Sequence, residues 1–384
     1  MRPNRPIYLD NQATTACDPR VVAAMLPWLT ENFANPHSAE HAMGRAAEAA
    51  VEQARAEIAA LVGAEPREIV LTSGATESNN IAIKGAARHA RRVGDPRLRV
   101  ITLATEHRCV LESVADLAED GFDPVVLPVR RDGTLDPQTL SDALAVPTLL
   151  VSVMAVNNET GVIQDLHEIG GIVHAAGALL HTDAAQACGK ILTDGAGIDL
   201  RSLSAHKLYG PKGVGALFVR RRPRARVAAL FSGGNQERGL RSGTLPTPLV
   251  VGFGLACRIA AAEMAAEQAR IAGLRDRCHA ILLAEIPGLV LNGHPTRRIA
   301  GNLNLTFPTG DAASLMAANP DLCISTGSAC SSAAIAPSHV LRALGLTDAE
   351  AARSLRIGIG RFTSAADIDV AAHALAASHA LQQA

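Results

Sequence analysis

Ser204-Ala205-His206-Lys207-Leu208-Tyr209-Gly210-Pro211-Lys212-Gly213 lies between two short apolar runs, Asp199–Ser204 and Gly215–Val219. The runs have strand length, and the residues between them suit a tight turn at a strand end. A lysine there, beside glycines that let other groups approach its backbone, can form a Schiff base. Earlier in the chain, Asp183 ends the apolar stretch that leads into His181-Thr182-Asp183-Ala184-Ala185-Gln186. A carboxylate in such a context needs a partner. A protonated pyridine nitrogen would serve, and so would a structural salt bridge. Lysine and carboxylate together suggest pyridoxal phosphate, a cofactor that works as an electron sink.

The same rhythm continues on both sides of this stretch. Strands are expected at Ile69–Leu71, Arg99–Leu103, Val125–Pro128, Thr148–Val156 and Ala178–His181. Between them lie helical patterns at Thr76–Ala90, Val110–Glu119 and Leu166–Ala176, preceded by a long helix over Ala39–Val62. Val51, Ala54, Ile58 and Leu61 share one face of that long helix. Strands alternating with helices give an α/β fold with right-handed crossovers and a mainly parallel sheet of seven strands. After about Arg258 the rhythm changes. A helix over Thr247–Ala272 leads into sparser strands at Ala280–Glu285, Val290–Leu291, Leu303–Thr306 and Leu355–Gly358. The expected division is a large domain over 15–258 and a smaller α+β domain built from 1–14 and 259–384. Small and polar residues dominate Ser325–Ala334, which is expected to be a mobile loop.

Composition excludes several classes. With 384 residues, 48% hydrophobic and 19% charged, the chain is globular. Net charge is −1, and the brief cluster Arg220-Arg221-Arg222 with Arg224 and Arg226 suits a solvated loop better than a nucleic-acid site. The N-terminus carries no apolar signal core, and Arg258 and Glu263 interrupt the greasy run Leu249–Ala266. No membrane span and a cytoplasmic location are therefore expected. The seven cysteines include no Cys-x-x-Cys pair, so free thiols are expected rather than a zinc ribbon or disulfides.

Other motifs admit a chemical and a plain reading. Ser73-Gly74-Ala75-Thr76-Glu77-Ser78 follows a strand and opens a helix, so it is a phosphate-binding helix start or an ordinary N-cap. It is not a Walker loop. Thr105-Glu106-His107 follows a strand at the edge where open α/β sheets bind ligands. His107 there stacks on a ring or shuttles a proton, unless it is a bland surface residue. Asn157-Asn158-Glu159 offers amides to a phenolate oxygen or simply makes a turn. Arg241-Ser242-Gly243-Thr244 could present Thr244 to a phosphate across a dimer interface. Arg356, between apolar neighbours, could clamp a carboxylate bidentately, while Arg361 suits a structural ion pair. Cys330 sits among small polar residues in Ser325-Thr326-Gly327-Ser328-Ala329-Cys330-Ser331-Ser332, where a thiol is poorly buried. That setting fits nucleophilic or sulfur-transfer chemistry, or an inert thiol.

With Tyr8-Leu9-Asp10-Asn11-Gln12-Ala13-Thr14-Thr15 added, these motifs span residues 7 to about 362 in one order. In that order the chain resembles the NifS/IscS-type cysteine desulfurases, within the class-V aminotransferases and pyridoxal phosphate enzymes of fold type I. The resemblance implies that Lys207 holds the cofactor as a Schiff base and that Asp183 pairs with the pyridine nitrogen. It implies that Asn158 and Gln186 bond the phenolic oxygen, and that His107 stacks on the ring and transfers protons. It assigns the phosphate to Ala75, Thr76, Ser204 and His206, with Thr244 arriving from a second subunit. Arg356, helped by Asn35, would bind the substrate carboxylate. Cys330 would accept sulfur from L-cysteine as a persulfide, leaving L-alanine. The persulfide would pass to a sulfur acceptor or iron–sulfur scaffold protein. No metal is implied in catalysis, although Cys330 could ligate a cluster iron transiently. A homodimer is implied, and neither nucleic acid nor membrane is a partner. The alternative is a selenocysteine lyase or another class-V aminotransferase, which needs no nucleophilic Cys330. Two departures leave the acceptor open. Ala34-Asn35-Pro36-His37-Ser38 stands where members often read Gly-Asn-Pro-Ser-Ser, and the chain stops at Ala384 without a docking extension.

Overall fold

The computed structural model describes residues 6–192, 197–326 and 337–382. Its strands are β1 (Ile7–Tyr8), β2 (Ile69–Thr72), β3 (Arg99–Leu103), β4 (Asp123–Leu127), β5 (Thr148–Ser152), β6 (Leu179–Asp183), β7 (Leu200–Ser204), β8 (Gly215–Val219), β9 (Val290–Leu291), β10 (Asn302–Thr306), β11 (Leu322–Cys323) and β12 (Ser354–Gly358). The helices are α1 (Pro19–Met25), α2 (Pro27–Thr30), α3 (Ala42–Leu61), α4 (Ala75–Val93), α5 (Arg108–Ala115), α6 (Pro137–Ala143), α7 (Leu166–Ala175), α8 (Thr247–Glu285), α9 (Ala312–Ala318), α10 (His339–Ala343), α11 (Asp348–Ala352) and α12 (Ala365–Leu381).

Seven strands form the central sheet in the order β2-β8-β7-β6-β5-β3-β4. Only β8 runs antiparallel to its neighbours, β2 and β7; the other pairs are parallel. Every residue of β5 and β7 is buried, because a parallel sheet is covered on both faces. One face packs under α3 and the first part of α8, through Val51, Ile58, Val250 and Phe253. The other packs under α4 and α5, through Ile81, Val110 and Val114. The parallel strands consequently end along one edge, and the motifs singled out in the sequence follow those ends.

A second apolar cluster gathers Leu9, Ile271, Leu282, Leu305, Ile357 and Leu375. It underlies a three-stranded antiparallel sheet, β12-β10-β9, and the parallel pair β1 and β11. The N-terminal strand β1 is thus paired with β11, and Leu9 packs into this second cluster.

Three sequence expectations are corrected. Ala280–Glu285 is helix, part of the 39-residue α8. Ile271, Leu274, Cys278 and Leu282 are its buried residues there, at spacings of three and four that a strand cannot present to one side. Helix α8 runs unbroken through residue 258. By length and composition α8 also meets the test for a membrane span, against the sequence reading, although 44% of its most apolar window is buried in the protein. The expected strand Thr148–Val156 stops at Ser152, after which Val156 bridges back to Ile163.

Two features fix the site edge. A Cβ on Gly215 would come within 2.6 Å of the Gly74 Cα, so β8 and the turn after β2 touch backbone to backbone. Gly74 itself has φ +152, which side-chain-bearing residues rarely adopt. Beneath that turn, Arg55 and Glu237 form a buried bidentate pair with both contacts at 2.7 Å. Glu237 also accepts the Leu71 N–H at 2.7 Å, so the pair anchors β2. Removing one partner strands a buried charge. Glu237→Ala is expected to destabilise the protein by about 3–5 kcal/mol, read from urea unfolding. A loss below about 1 kcal/mol would show that the pair is not holding β2.

Candidate active site

A cavity of about 550 Å³ opens at the C-terminal edge of the sheet. Lys207 lies at its base, closing the single helical turn Ala205–Lys207 that follows β7. Its Nζ donates to the carbonyls of Gln12 at 2.6 Å and Ala13 at 2.7 Å. The N-terminal segment is stitched over this turn by Thr15, whose N–H and Oγ1 both donate to His206 O at 2.9 Å. Tyr209, just beyond, has φ +65. Such a conformation persists only where the surroundings over-determine it. Here the Tyr209 hydroxyl accepts the Arg361 N–H at 2.6 Å, and the Arg361 guanidinium lies 4.2 Å over the ring. Arg361 also pairs with Asp18 and Glu267, the structural role expected for it.

Asp183 ends β6 and is 6% exposed. Its Oδ2 accepts from Asn79 Nδ2 at 2.7 Å and its Oδ1 accepts from Ala185 N–H at 2.9 Å. Asn79 Nδ2 also lies 3.2 Å from the Cys109 sulfur, which is 3.0 Å from His107 Nδ1. His107 caps α5, its Nδ1 accepting the Cys109 N–H at 3.2 Å. One network therefore joins the carboxylate to the imidazole.

Most long helices here are capped by a side chain, for example Asp165 on α7 and Ser364 on α12. Helix α4 begins at Gly74 with no side-chain cap. Its first residues, Ala75 and Thr76, line the cavity, and an uncapped helix start suits an anion. Ser204 and His206 line the same corner. Burial, with the nearby cations Lys207, Lys212 and Lys190, pushes the His206 imidazole down to about 4, so it is neutral at ordinary pH. Its Nδ1 lies 3.0 Å from Thr14 Oγ1.

Arg356, from β12, lines the far side and is only 2% exposed. It pairs with Asp10 at 2.7 Å and donates to the Asn158 carbonyl at 3.0 Å. Asn158 and Gln186 both line the cavity, and Asn158 Oδ1 is buried with no protein partner among the described residues. Asn157 is structural: it braces the turn through Thr105 O and the N–H groups of Glu159 and Thr160.

Two expected residues stand apart. Asn35 is exposed, accepts the His37 N–H at 3.0 Å and does not line the cavity. Thr244 is also exposed and outside it. Cys330 lies outside the described residues. Sequence reasoning missed Asn79, Cys109, Glu106 and the backbone of Gln12 and Ala13. Ser78 and Asn79 are polar residues on the buried face of α4, a signal the helical period could have shown. The carbonyls have no signature in sequence.

A phosphorylated pyridine fits this arrangement. The cavity supplies an uncapped helix start, a buried carboxylate, an orphaned amide oxygen and an amine. Glu106 lies beside His107, behind the cavity. It is fully buried and accepts the Met154 N–H at 2.5 Å. Burial raises its carboxyl well above the usual 4.5. Below 4.5 the carboxyl is neutral in folded and unfolded chains alike, and its stabilising contribution is complete. As pH rises, the unfolded chain releases the proton first, and stability is lost until the folded value is passed. Glu106→Gln abolishes this linkage. Its melting temperature in the cofactor-free protein should gain on the wild type between about pH 5 and about pH 8. A gap that does not change with pH would refute the neutral carboxyl.

The description aminotransferase class-V matches residues 7–370. A mitochondrial cysteine desulfurase of Arthroderma benhamiae is 53% identical over 95% of this chain and 73% of its own. The cysteine desulfurase IscS of Rickettsia felis is 49% identical over 96% of this chain and 90% of its own. A solved NifS-like protein superposes with a TM-score of 0.88 at 32% identity, covering 98% of this chain and 99% of its own.

Proposed function

We infer that this chain, which belongs to the class-V aminotransferase family, is a pyridoxal-phosphate-dependent cysteine desulfurase of fold type I, releasing L-alanine from L-cysteine. The observation that carries this reading is the convergence of Lys207, Asp183, His107 and Arg356 on one cavity beside the uncapped start of α4.

When bound, pyridoxal phosphate supplies an electron sink for charge at the substrate α-carbon. The chain's own residues do the rest. Lys207 holds the cofactor and, when released, takes the α-proton on Nζ. Asp183, held by Asn79 Nδ2 and the Ala185 N–H, faces the pyridine nitrogen. Ala75, Thr76, Ser204 and neutral His206 hold the phosphate, while Asn158 and Gln186 meet the phenolic oxygen. Arg356 takes the substrate carboxylate by exchanging it for Asp10, one carboxylate for another. Asn35 helps only through movement of its own segment. The Cys330 thiolate attacks the substrate sulfur. The carbon–sulfur bond breaks and a sulfur–sulfur bond forms on Cys330; the carbon skeleton gains one proton at Cβ from His107, regains one at Cα from Lys207 Nζ, and leaves as alanine. No external oxidant or reductant enters. The Cys330 persulfide then moves to an acceptor by thiol exchange, serving iron–sulfur cluster assembly or other sulfur trafficking.

Thr244 stands outside the cavity of a single chain, so its phosphate role requires a second copy, and we take the working form to be a homodimer in the cytoplasm.

Lys207→Ala should abolish the visible absorbance of the cofactor-loaded protein; an unchanged spectrum would sink the assignment. Cys330→Ser should keep that absorbance and lower alanine release from cysteine by at least about 100-fold, the scale lost with an essential nucleophile. Full-rate release would make Cys330 an ordinary thiol and favour a selenocysteine lyase-like activity.

A further inference from the structure

Lys190 has no part in the chemistry above, yet it reaches the active site through two side chains. Its Nζ donates to Gln186 Oε1 at 3.0 Å. Gln186 Nε2 donates to the Gln12 carbonyl at 2.8 Å, and Lys207 Nζ donates to that same carbonyl at 2.6 Å. The two ends of the Gln186 amide are therefore assigned independently. A backbone carbonyl can only accept, so the amide nitrogen must face Gln12. A lysine amine is the donor that the amide oxygen then needs. With both ends fixed, the second N–H of Gln186 remains for the cavity that this residue lines.

Lys190 and Lys207 also border a small space of about 20 Å³, together with Gln12, Tyr209 and Arg361. That is room for about one water. No ligand fits there, so Lys190 acts on the residues around it. Those that bear on its charge are Lys207, Cys188 and Glu267, and Glu267 is already committed to Arg361. Burial, then the neighbouring Lys207, pushes the Lys190 amine down to about 7.

We propose that Lys190 is a positioning residue of this active site: it locks the Gln186 amide so that N–H, rather than oxygen, meets an oxyanion on the bound ring, and in its ammonium form it sets a second positive charge behind Lys207. This rests on the functional reading above. A donor to the ring oxyanion and a cation beside Lys207 both make the linked lysine nitrogen less basic, so the two effects share one sign.

The test uses the whole cofactor-loaded protein without substrate, titrated by its visible absorbance. Lys190→Met should move the pH midpoint of the absorbance change upward by about one unit. It should also slow uptake of pyridoxal phosphate by the cofactor-free protein at neutral pH by about 10-fold, since more of Lys207 is then protonated. Lys190→Arg, which keeps both donor and charge, should return the midpoint to within about 0.3 unit of wild type. Lys190→Gln loses the charge while staying polar; it should shift upward as well, and serves if the methionine variant does not fold. A folded Lys190→Met or Lys190→Gln protein with the wild-type midpoint overturns the proposal. A wild-type protein with no visible band overturns the cofactor reading and this proposal with it.

Discussion

A carboxylate buried at the end of a strand is expensive, and the site is arranged around meeting that cost at Asp183. An uncompensated buried charge costs several kcal/mol. Two donors, Asn79 and the Ala185 N–H, keep the charge in place from within the protein. They occupy one contact on each oxygen and leave acceptor capacity on the cavity side. Helix α4 must then run where Asn79 can reach β6, and this sets where its uncapped N-terminus points. The carboxylate end and the anion end of the cavity are thus spaced by one helix, with Gly74 at its start and Asn79 just over one turn in.

The floor of the cavity follows from a different constraint. Lys207 sits on a turn too short to brace itself, so residues far away in sequence brace it. Gln12 and Ala13 receive its amine, Thr15 grips the His206 carbonyl, and Arg361 holds Tyr209 in its unusual backbone conformation. Arg361 is tied in turn to Asp18 and Glu267. The first residues of the chain and the turn after its last strand thereby meet under a lysine from the middle.

The central sheet is legible in sequence because most of its strands are buried and read as short apolar-rich runs; Arg99–Leu103 and Gly215–Val219 match residue for residue. Lys207, Asp183 and His107 were legible because each interrupts such a run at its end. Ala280–Glu285 was misread since six apolar-rich residues, taken alone, carry no period; the preceding turns of α8 supply it. Asn79 and Cys109 escaped because their partners, Asp183 and His107, lie on other elements. Arg356 stands out in sequence as a cation between apolar neighbours, but its partner Asp10 does not, for the two are brought together by the bridge between Asp10 and Gly358, far apart in the chain.

Helix α8 gives its first half to the core under the central sheet and its second half to the core of the C-terminal region. A rod shared in this way cannot bend without opening both cores at once. The distance from Arg356 to Lys207 is consequently set when the chain folds, as in a calliper locked before use. Any ligand that spans the two residues meets a separation chosen by the scaffold and not by the ligand.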